Sequence, residues 1–220
     1  GTIGSNSFHD TQGNIEVNAG GQLQFSLPIA LPPGVKSVAP QINLIYSSAS
    51  SNGLIGYGWN LSGVTNISRR GKNLDVYNEN KAIQLDYTDD YYFNGQRLIL
   101  ISGEHGKDGA EYSTEKYSNV KIKAVGNLSG FQWLGPNYFE VTFEDGSQAW
   151  YGALDLNSSS AMTGFEYNIV KWKDSQGNYI TYSYSQSNNV ALLTKIEWGG
   201  NETIGKPHFN ELLFNYISVR

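Results

Sequence analysis

The sequence predicts an all-β fold, in which a meander of antiparallel hairpins forms a large curved sheet or a sandwich. Apolar and polar residues alternate over short stretches along most of the chain, a pattern that is typical of half-buried strands. Turn signals rich in glycine, asparagine and aspartate separate these stretches. A helical period never lasts three turns, and the strongest helix candidate, residues 161–165, is short. We therefore expect roughly a dozen strands.

The first strands lie around two turn signals. Residues 15–17 and 23–27 alternate on either side of Asn18–Gly21, which predicts a hairpin. A Pro-Pro-Gly turn at residues 32–34 then precedes a third alternating stretch, residues 42–46. The sequence thus predicts three neighbouring strands before residue 47.

The next segment is a tryptophan surrounded by glycines. Gly53, Gly56 and Gly58 precede Trp59, and glycine within a strand marks a bulge or a close approach of backbone. This pattern predicts that Trp59 lies across a bent strand, fills a gap in the core, and that the strand continues through residues 64–67.

Three turn signals predict the later hairpins, and they are centred on Asn94-Gly95, Asp145-Gly146 and Asp174–Asn178. The last predicted strand covers residues 212–216, and an unpaired edge there predicts self-association or strand addition. The residues expected to matter for the structure are Pro32, Pro33, Gly34, Gly53, Gly56, Gly58, Trp59, Gly95, Gly146, Asp174, Gly177 and Asn178.

Length and composition bound the class of protein. The chain has 220 residues, which suits one all-β domain over residues 15–220 after a flexible polar lead-in over residues 1–14. There is no cysteine, so disulfides and thiolate metal sites are excluded. The formal net charge of -5 disfavours nucleic acid and anionic membranes as partners. No apolar run approaches the roughly 20 residues of a membrane span.

The residue usage is typical of extracellular β-proteins. Charged residues make up 16% of the chain, while glycine and tyrosine number 25 and 15. This usage therefore favours a location outside the cell or at its surface.

Most candidates for chemistry have simpler interpretations. His9, His105 and His208 are far apart in polar stretches, which favours solvated loop positions over a shared metal site. Glu140 and Glu144 would share one face of a strand, the spacing that a glycosidase pair needs. A solvated strand face explains these two carboxylates better, because Val141 would then point inward.

Two acidic clusters resemble calcium ligands only in part. Asp86, Asp89 and Asp90 lack the spacing and the glycine of an EF-hand, so a charged loop is favoured. The Asp174–Asn178 segment is better explained as a turn, in which aspartate and asparagine bond their own backbone and Gly177 supplies a positive φ. No cofactor or metal is therefore predicted.

The tryptophans leave a binding alternative open. Trp59, Trp133, Trp150, Trp172 and Trp198 could form a sugar-binding platform, but cross-strand and core packing is favoured for most of them. Trp133, among glycines and a proline, is the most exposed candidate for contact with a glycan.

The motifs, in this order, resemble the amino-terminal region of SpvB-type virulence proteins and of the B component of insecticidal Tc toxins. Both belong with the Rhs/YD-repeat toxins. One departure is Asn94, where the family usually has aspartate. The matching segments are Ser26–Ile29, Leu31–Gly34, Pro40–Tyr46, Asn52–Trp59, Ile67–Arg69, Phe93–Leu98, Phe139–Gly152 and Asp174–Tyr182.

The resemblance implies a non-enzymatic structural module and a fold that starts an Rhs-like shell. In the similar proteins, hairpins of this kind wind into a hollow shell around a toxic carboxy-terminal segment, and these proteins continue beyond the equivalent of Arg220. The chain is therefore expected to be part of a longer one. The resemblance also implies a secreted bacterial protein that is cytoplasmic before export. Its implied partners are the remainder of its own toxin chain or toxin-complex subunits. The alternative is an extracellular carbohydrate-binding or adhesion module that contacts a cell-surface glycan.

Overall fold

The computed structural model describes residues 14–29, 34, 38–48, 52–53, 55–57, 59–116, 119–130, 132–158, 160–187 and 189–216. The chain forms two compact units. One comprises Gly1–Pro32 with Pro40–Gly63, and the other Pro33–Ala39 with Val64–Arg220. The predicted lead-in lies outside the described residues except for Asn14.

The smaller unit holds an antiparallel sheet of four strands, in the order Asn14–Val17, Leu23–Ile29, Ile42–Ser47 and Trp59–Ser62. The Asn18 side chain shapes its first turn, because Oδ1 accepts the backbone N–H groups of Gly20 and Gln22, both at 3.0 Å. This confirms the predicted hairpin. The strands of this unit are β1 (Asn14–Val17), β2 (Leu23–Ile29), β3 (Ile42–Ser47), β4 (Asn52–Gly53), β5 (Gly56–Tyr57) and β6 (Trp59–Ser62).

The glycine-flanked segment forms two short elements. Gly53 pairs with Gly56 across the β4–β5 hairpin, and the Trp59 backbone opens β6, opposite Tyr46 on β3. The side chain of Trp59 lies outside the described part of the chain, so its packing stays a prediction. The predicted continuation of this strand is wrong, since Gly63 turns the chain with a φ of 83°.

Among its described residues, the larger unit holds eleven strands and one short helix. The helix begins after Asn73, whose side chain accepts the N–H of Val76. Its elements are β7 (Asn66–Arg70), α1 (Leu74–Tyr77), β8 (Asp90–Phe93), β9 (Gln96–Ser102), β10 (Glu111–Thr114), β11 (Lys121–Val125), β12 (Tyr138–Thr142), β13 (Gln148–Tyr151), β14 (Glu166–Lys173), β15 (Asn178–Ser187), β16 (Val190–Asn201) and β17 (Asn210–Leu213).

Strands β7 to β14 close into an eight-stranded barrel. Each strand pairs antiparallel with the next one, and β14 returns to pair with β7, so that Glu166 lies opposite Ser68. The predicted antiparallel meander is confirmed, and its curvature goes as far as closure. Residues 161–165, the strongest helix candidate in the sequence, form no helix, and Met162 instead forms a β-bridge to Tyr167.

Side chains fill the interior of the barrel. An eight-stranded barrel is just wide enough for its inward residues to meet at the axis. Successive inward positions alternate with outward ones, as the pleat requires. The buried inward residues are Ile67, Arg69, Tyr91, Phe93, Leu98, Tyr112, Thr114, Ile122, Ala124, Phe139, Val141, Ala149, Tyr151, Tyr167 and Ile169.

The connections differ in length between the two ends of the barrel, because an up-and-down meander turns alternately at each end. The long connections lie at one end, which we call the loop end. They are residues 71–89, 103–110, 126–137 and 152–165. The short connections lie at the opposite end, the turn end. They are residues 94–95, 115–120 and 143–147.

One strand belongs both to the barrel and to a sheet that leaves it. The first half of β14, Glu166–Asn168, pairs with β7. Its second half, Lys171–Lys173, pairs with β13 and also with β15. Strands β15, β16 and β17 continue from there as an antiparallel extension.

Candidate functional site

A buried ion pair lies at the loop end of the barrel. The side chains of Arg69 and Asp89 are 0% and 1% exposed, and Nη1 of the first lies 3.3 Å from Oδ2 of the second. The guanidinium also donates to the carbonyl oxygens of Asp86 and Leu134. Asp89 accepts three backbone N–H groups from residues 84–86. The pair therefore ties two long loops to the barrel wall.

The loop around Gly135 passes directly over this pair. A Cβ at Gly135 would lie 2.8 Å from Arg69 Nη2 and 2.9 Å from the hydroxyl oxygens of Tyr91 and Tyr167. The Tyr167 hydroxyl donates to the carbonyl of Pro136 at 2.8 Å. Burial raises the pKa of both phenols, so both keep their protons. These contacts hold the loop against the end of the barrel. Glycine is needed at position 135 because a side chain there would collide with the buried arginine and the two phenols.

His105 belongs to the same end of the barrel. Its Nε2 lies 2.6 Å from the carbonyl oxygen of Asp89, and its Nδ1 lies 3.0 Å from the Tyr112 hydroxyl. That hydroxyl accepts the N–H of Gly106. The prediction of a solvated loop position is therefore wrong for His105. His9 lies outside the described residues.

The acidic cluster before β8 is split between surface and interior. Asp90 is buried and accepts the Tyr77 hydroxyl at 2.7 Å, and burial together with this carboxylate raises the pKa of Tyr77 to about 12. Asp86 bonds Thr88, which lowers the pKa of the Asp86 carboxyl. The charged-loop prediction holds for Asp86 and is wrong for Asp89 and Asp90, which are buried. In the described parts of the chain, no three histidine or acidic side chains are grouped to hold a metal ion.

Glu140 and Glu144 do not share a strand face. Glu140 lies on β12, which ends at Thr142, and the exposed Glu144 lies in the following turn. The backbone closes there through the Phe143 N–H, which donates to Ser147 O at 2.9 Å. The expected common face is therefore wrong, whereas the inward position of Val141 is confirmed.

The turn residues predicted from the sequence occupy turns. Asn94 and Gly95 have φ values of 50° and 72°, as expected for a two-residue hairpin loop between β8 and β9. Gly146 has a φ of 81° in the β12–β13 turn. Both hairpins are thus confirmed.

The Asp174–Asn178 turn is held by its own side chains. Asp174 Oδ1 accepts the N–H groups of Gln176 and Asn178, both at 2.9 Å. The Asn178 amide donates to Asp174 Oδ2 and accepts from Asn201 on β16. Gly177 has a φ of 92°. These contacts use the oxygens that a calcium ion would need, as the turn interpretation predicts.

The Pro-Pro-Gly motif is described only at its last residue. Pro32, Pro33 and Gly58 lie outside the described residues. A Cβ at Gly34 would lie 3.1 Å from the Trp198 side chain, so this glycine lets the backbone approach the extension closely.

The described tryptophans have different environments. Trp198 is completely buried on β16, which confirms core packing there. Trp150 instead lies on the outer face of the barrel under Lys171, whose Nζ is 5.1 Å from the ring centroid. Trp133 is half-buried beside a cavity of about 180 Å³ that also contacts Met162. Glycan contact by Trp133 stays a prediction.

A row of charged and aromatic groups crosses the outer face where barrel and extension meet. Lys171 lies between the rings of Trp150 and Tyr179, at 5.1 and 5.2 Å from their centroids. Glu202 forms ion pairs with Lys171 and with Lys173. These contacts join β13, β14 and β15 to the β16–β17 connection.

The last strand of the extension is an open edge. β17 pairs with β16, and no described strand pairs with its outer side. Phe209 and Leu213 are 56% and 55% exposed and lie on the same face as Glu211. A last strand is present as predicted, but it spans Asn210–Leu213 instead of residues 212–216. A short edge with a charge is partly protected, yet it can still accept another strand.

The turn end of the barrel carries an open groove of about 640 Å³. Phe143 and Trp172 form its apolar part, and Glu144 and Lys116 lie on its rim. The mouths of β-barrels often bind small ligands. Lys116 and Glu144 of this groove are exposed to solvent.

The fold and these contacts define a class of protein, an antiparallel β-barrel module with a sheet extension. The buried charged residues of this module bond to the loops at one end of the barrel. Solved structures share this fold. Two crystal structures of TcdB2-TccC3 match with TM-scores of 0.57 and 0.59, at 16% and 15% identity, and cover 90% and 94% of this chain. The N-terminal domain of the effector protein SpvB from Salmonella typhimurium strain LT2 matches with a TM-score of 0.52 at 16% identity, over 79% of this chain.

The family itself follows from the sequence. The model described as SpvB, Salmonella virulence plasmid 65kDa B protein, matches residues 17–206. The chain belongs to the SpvB family. No curated protein sequence matches the chain. The resemblance inferred from the motifs is thereby confirmed, and it relates the chain to virulence and toxin-complex proteins.

The chain is shorter than the proteins that it resembles. It spans 11% of the two TcdB2-TccC3 chains and 63% of the SpvB chain. Within the described residues, no helix has the length and hydrophobicity of a membrane span.

Proposed function

We propose that this chain is a non-enzymatic wall module of a secreted bacterial toxin or virulence protein, in which it helps to enclose the remainder of the toxin chain. The observation that carries the proposal is the packed barrel. Its interior is occupied by its own side chains, such as Phe139 and Tyr151, so the barrel acts as a solid block and holds no cargo of its own.

The sheet extension could join this module to further strands of a larger shell. β14 passes from the barrel into the extension without interruption, and β17 presents an edge to which another strand can pair. The partners on this proposal are other segments of the same toxin chain or other toxin-complex subunits. The family membership and the likeness to small parts of large toxin structures support this role.

The buried polar groups support a structural role over a catalytic one. Arg69, Asp89 and Asp90 each have partners within the barrel or its loops. Tyr91 and Tyr167 have raised pKa values because burial penalises the phenolate. Such groups stabilise loops, whereas a catalytic acid or base would face a cleft.

The test uses the full-length gene product. Val141→Asp places a charge at a position with 0% exposure in the barrel, and it should expose a protease-resistant part of the longer chain to limited proteolysis. Glu140→Gln, the outward neighbour on the same strand, is the matched control and should leave protection and toxicity unchanged.

Two outcomes would overturn the proposal. One is unchanged proteolytic protection in Val141→Asp although the barrel is unfolded, since the module would then enclose nothing. The other is loss of toxicity in Glu140→Gln or Glu144→Gln while protection is intact, which would assign catalysis to this module.

A further inference from the structure

Two consecutive residues of the β16–β17 connection lie directly on two consecutive glycines of β16. A Cβ at Gly200 would lie 2.9 Å from His208 Nδ1 and 2.6 Å from the ring of Tyr179. A Cβ at Gly199 would lie against the ring of Phe209, 2.7 Å from its Cδ1 atom. Any larger residue at either position would displace these rings, so the glycine pair is a seat for His208 and Phe209.

The hydrogen bond from β16 requires the neutral form of the His208 imidazole. The N–H of Gly200 donates to His208 Nδ1 at 3.0 Å. The imidazole also packs on the Tyr179 ring, with centroids 4.0 Å apart. A ring nitrogen accepts a hydrogen bond only when it carries no proton, so the contact requires the neutral imidazole.

This contact lies directly before the first hydrogen bonds that join β17 to β16. The N–H of Phe209, the next residue, donates to the carbonyl of Trp198 at 3.2 Å. Asn210 then opens β17 directly opposite Trp198. His208 therefore lies two residues before the first residue of β17.

We propose that His208 is an acid-sensitive latch for β17. Protonation of the imidazole removes the acceptor for the Gly200 N–H, releases the connection from β16, and loosens the last strand while the barrel stays folded. The latch concerns the sheet edge itself and does not depend on the proposed role in a toxin.

Charged groups from every packed element face the imidazole. Burial lowers the pKa of His208 and Lys171 on β14 lowers it further. Glu197 on β16, Glu202 in the connection and a hydrogen bond with the Trp198 backbone oppose this shift. Tyr179 on β15 contributes its neutral ring. Lys171 and Glu202 pair with each other, so their fields on His208 partly cancel.

The sign of the pH dependence follows from this shift. An unfolded histidine titrates near pH 6.5, and the latched histidine binds its proton less readily. The latch is therefore fully stable above that pH and weakens as the pH falls below it. Full exclusion of the proton from the latched form would raise the local opening constant by about 30-fold at pH 5 relative to pH 7.5.

Hydrogen exchange on the 220-residue chain tests the latch. Amide exchange is measured at about pH 5 and pH 7.5 and corrected for the intrinsic pH dependence. We expect the amides of Gly200, Phe209 and β17 to lose protection at acid pH by up to about 30-fold, while the amides of β12 keep theirs.

Two variants separate the latch from other acid effects. His208→Asn keeps an acceptor oxygen near the position of Nδ1 but does not titrate, so its β17 protection should be the same at both pH values. His105→Gln, at the other described histidine, should leave the acid loosening of β17 unchanged.

Three results would overturn the proposal. They are pH-independent protection of β17 in the parent chain, the same acid loss in His208→Asn as in the parent, and equal loss in β12, which would mean global unfolding. Should His208→Asn disturb β17 at both pH values, the imidazole is titrated by NMR in the parent chain. A folded-state pKa at or above 6.5 would then contradict the latch, and a lower one would support it.

Discussion

The ion pair at the loop end offers a direct test of what holds the barrel closed. We consider Arg69→Met, which keeps an unbranched side chain but removes the charge. Arg69 and Asp89 are completely buried and 3.3 Å apart, so the substitution leaves Asp89 without its counter-charge. Breaking a buried pair in this way typically costs about 3–5 kcal/mol of unfolding free energy.

Several contacts refine this magnitude. Asp89 keeps three backbone N–H donors from residues 84–86, which partly compensate the lost charge. The carbonyl of Leu134, however, loses its buried donor, which adds to the cost. We therefore expect about 4 kcal/mol, corresponding to a fall in Tm of roughly 8–16 °C for a chain of this size.

The assay is urea unfolding followed by circular dichroism, combined with a double-mutant cycle. Asp89→Asn is the second single variant, and Arg70→Met is the matched control. Arg70 is exposed and lies 4.4 Å above the ring of Tyr92, so its loss should cost about 1 kcal/mol or less. Arg69→Met with Asp89→Asn should cost less than the sum of the two singles.

Two results would refute this reasoning. A loss below about 1 kcal/mol for Arg69→Met would mean that the pair contributes little to closing the barrel. Additive single effects would mean that the two side chains do not act as a pair.

Three further variants or conditions test the turns and the buried phenols, each by urea unfolding unless stated. Gly95→Ala should cost about 1–2 kcal/mol, because φ is 72° but space is free around it. Gly152→Ala should cost clearly more, about 3 kcal/mol, since its Cβ would also lie 2.7 Å from Tyr167; equal losses would contradict the steric argument. Burial raises the pKa of Tyr151 to about 12, whereas an unfolded tyrosine titrates near 10. Stability should therefore fall as the pH rises above 10, and ultraviolet absorbance should show native phenols ionising later than unfolded ones.

Local signals in the sequence predicted three hairpins of the larger unit. Asn94-Gly95 has the positive φ values that a tight hairpin needs, and few other residue pairs tolerate them. Asp174 and Asn178 bond within five residues, so their turn could be predicted without knowledge of the rest of the fold. Such features depend on short-range geometry and are therefore visible in one chain.

Closure of the barrel could not be predicted from the sequence. It depends on the pairing of Ser68 with Glu166, and nothing local specifies a partner so far along the chain. The role of Arg69 was missed for a related reason. Its alternation with Ile67 placed it on the inward face, but its partner Asp89 lies in a different loop. An arginine at an inward strand position was the signal that could have revealed it.

The packing of His208 against two glycines could not be predicted from the sequence. Gly199 and Gly200 follow Trp198, and in a sequence such a pair commonly marks a chain reversal. In the structure β16 continues to Asn201, and the glycines remain in the strand because the rings of His208 and Phe209 occupy the space above them. Sequence alone does not distinguish a glycine that forms a turn from a glycine that leaves space for the side chain of a neighbouring segment.

The strand that closes the barrel also sets the order of its assembly. β7 is made early and its partner β14 comes almost a hundred positions later, so the wall cannot close until synthesis has passed Lys173. Until then β7 and β13 each have an exposed edge that is prone to wrong pairing. Long-range pairing of this kind folds slowly. Residues that fix β14 in place, rather than those that start the barrel, should therefore decide how fast a nascent chain escapes aggregation.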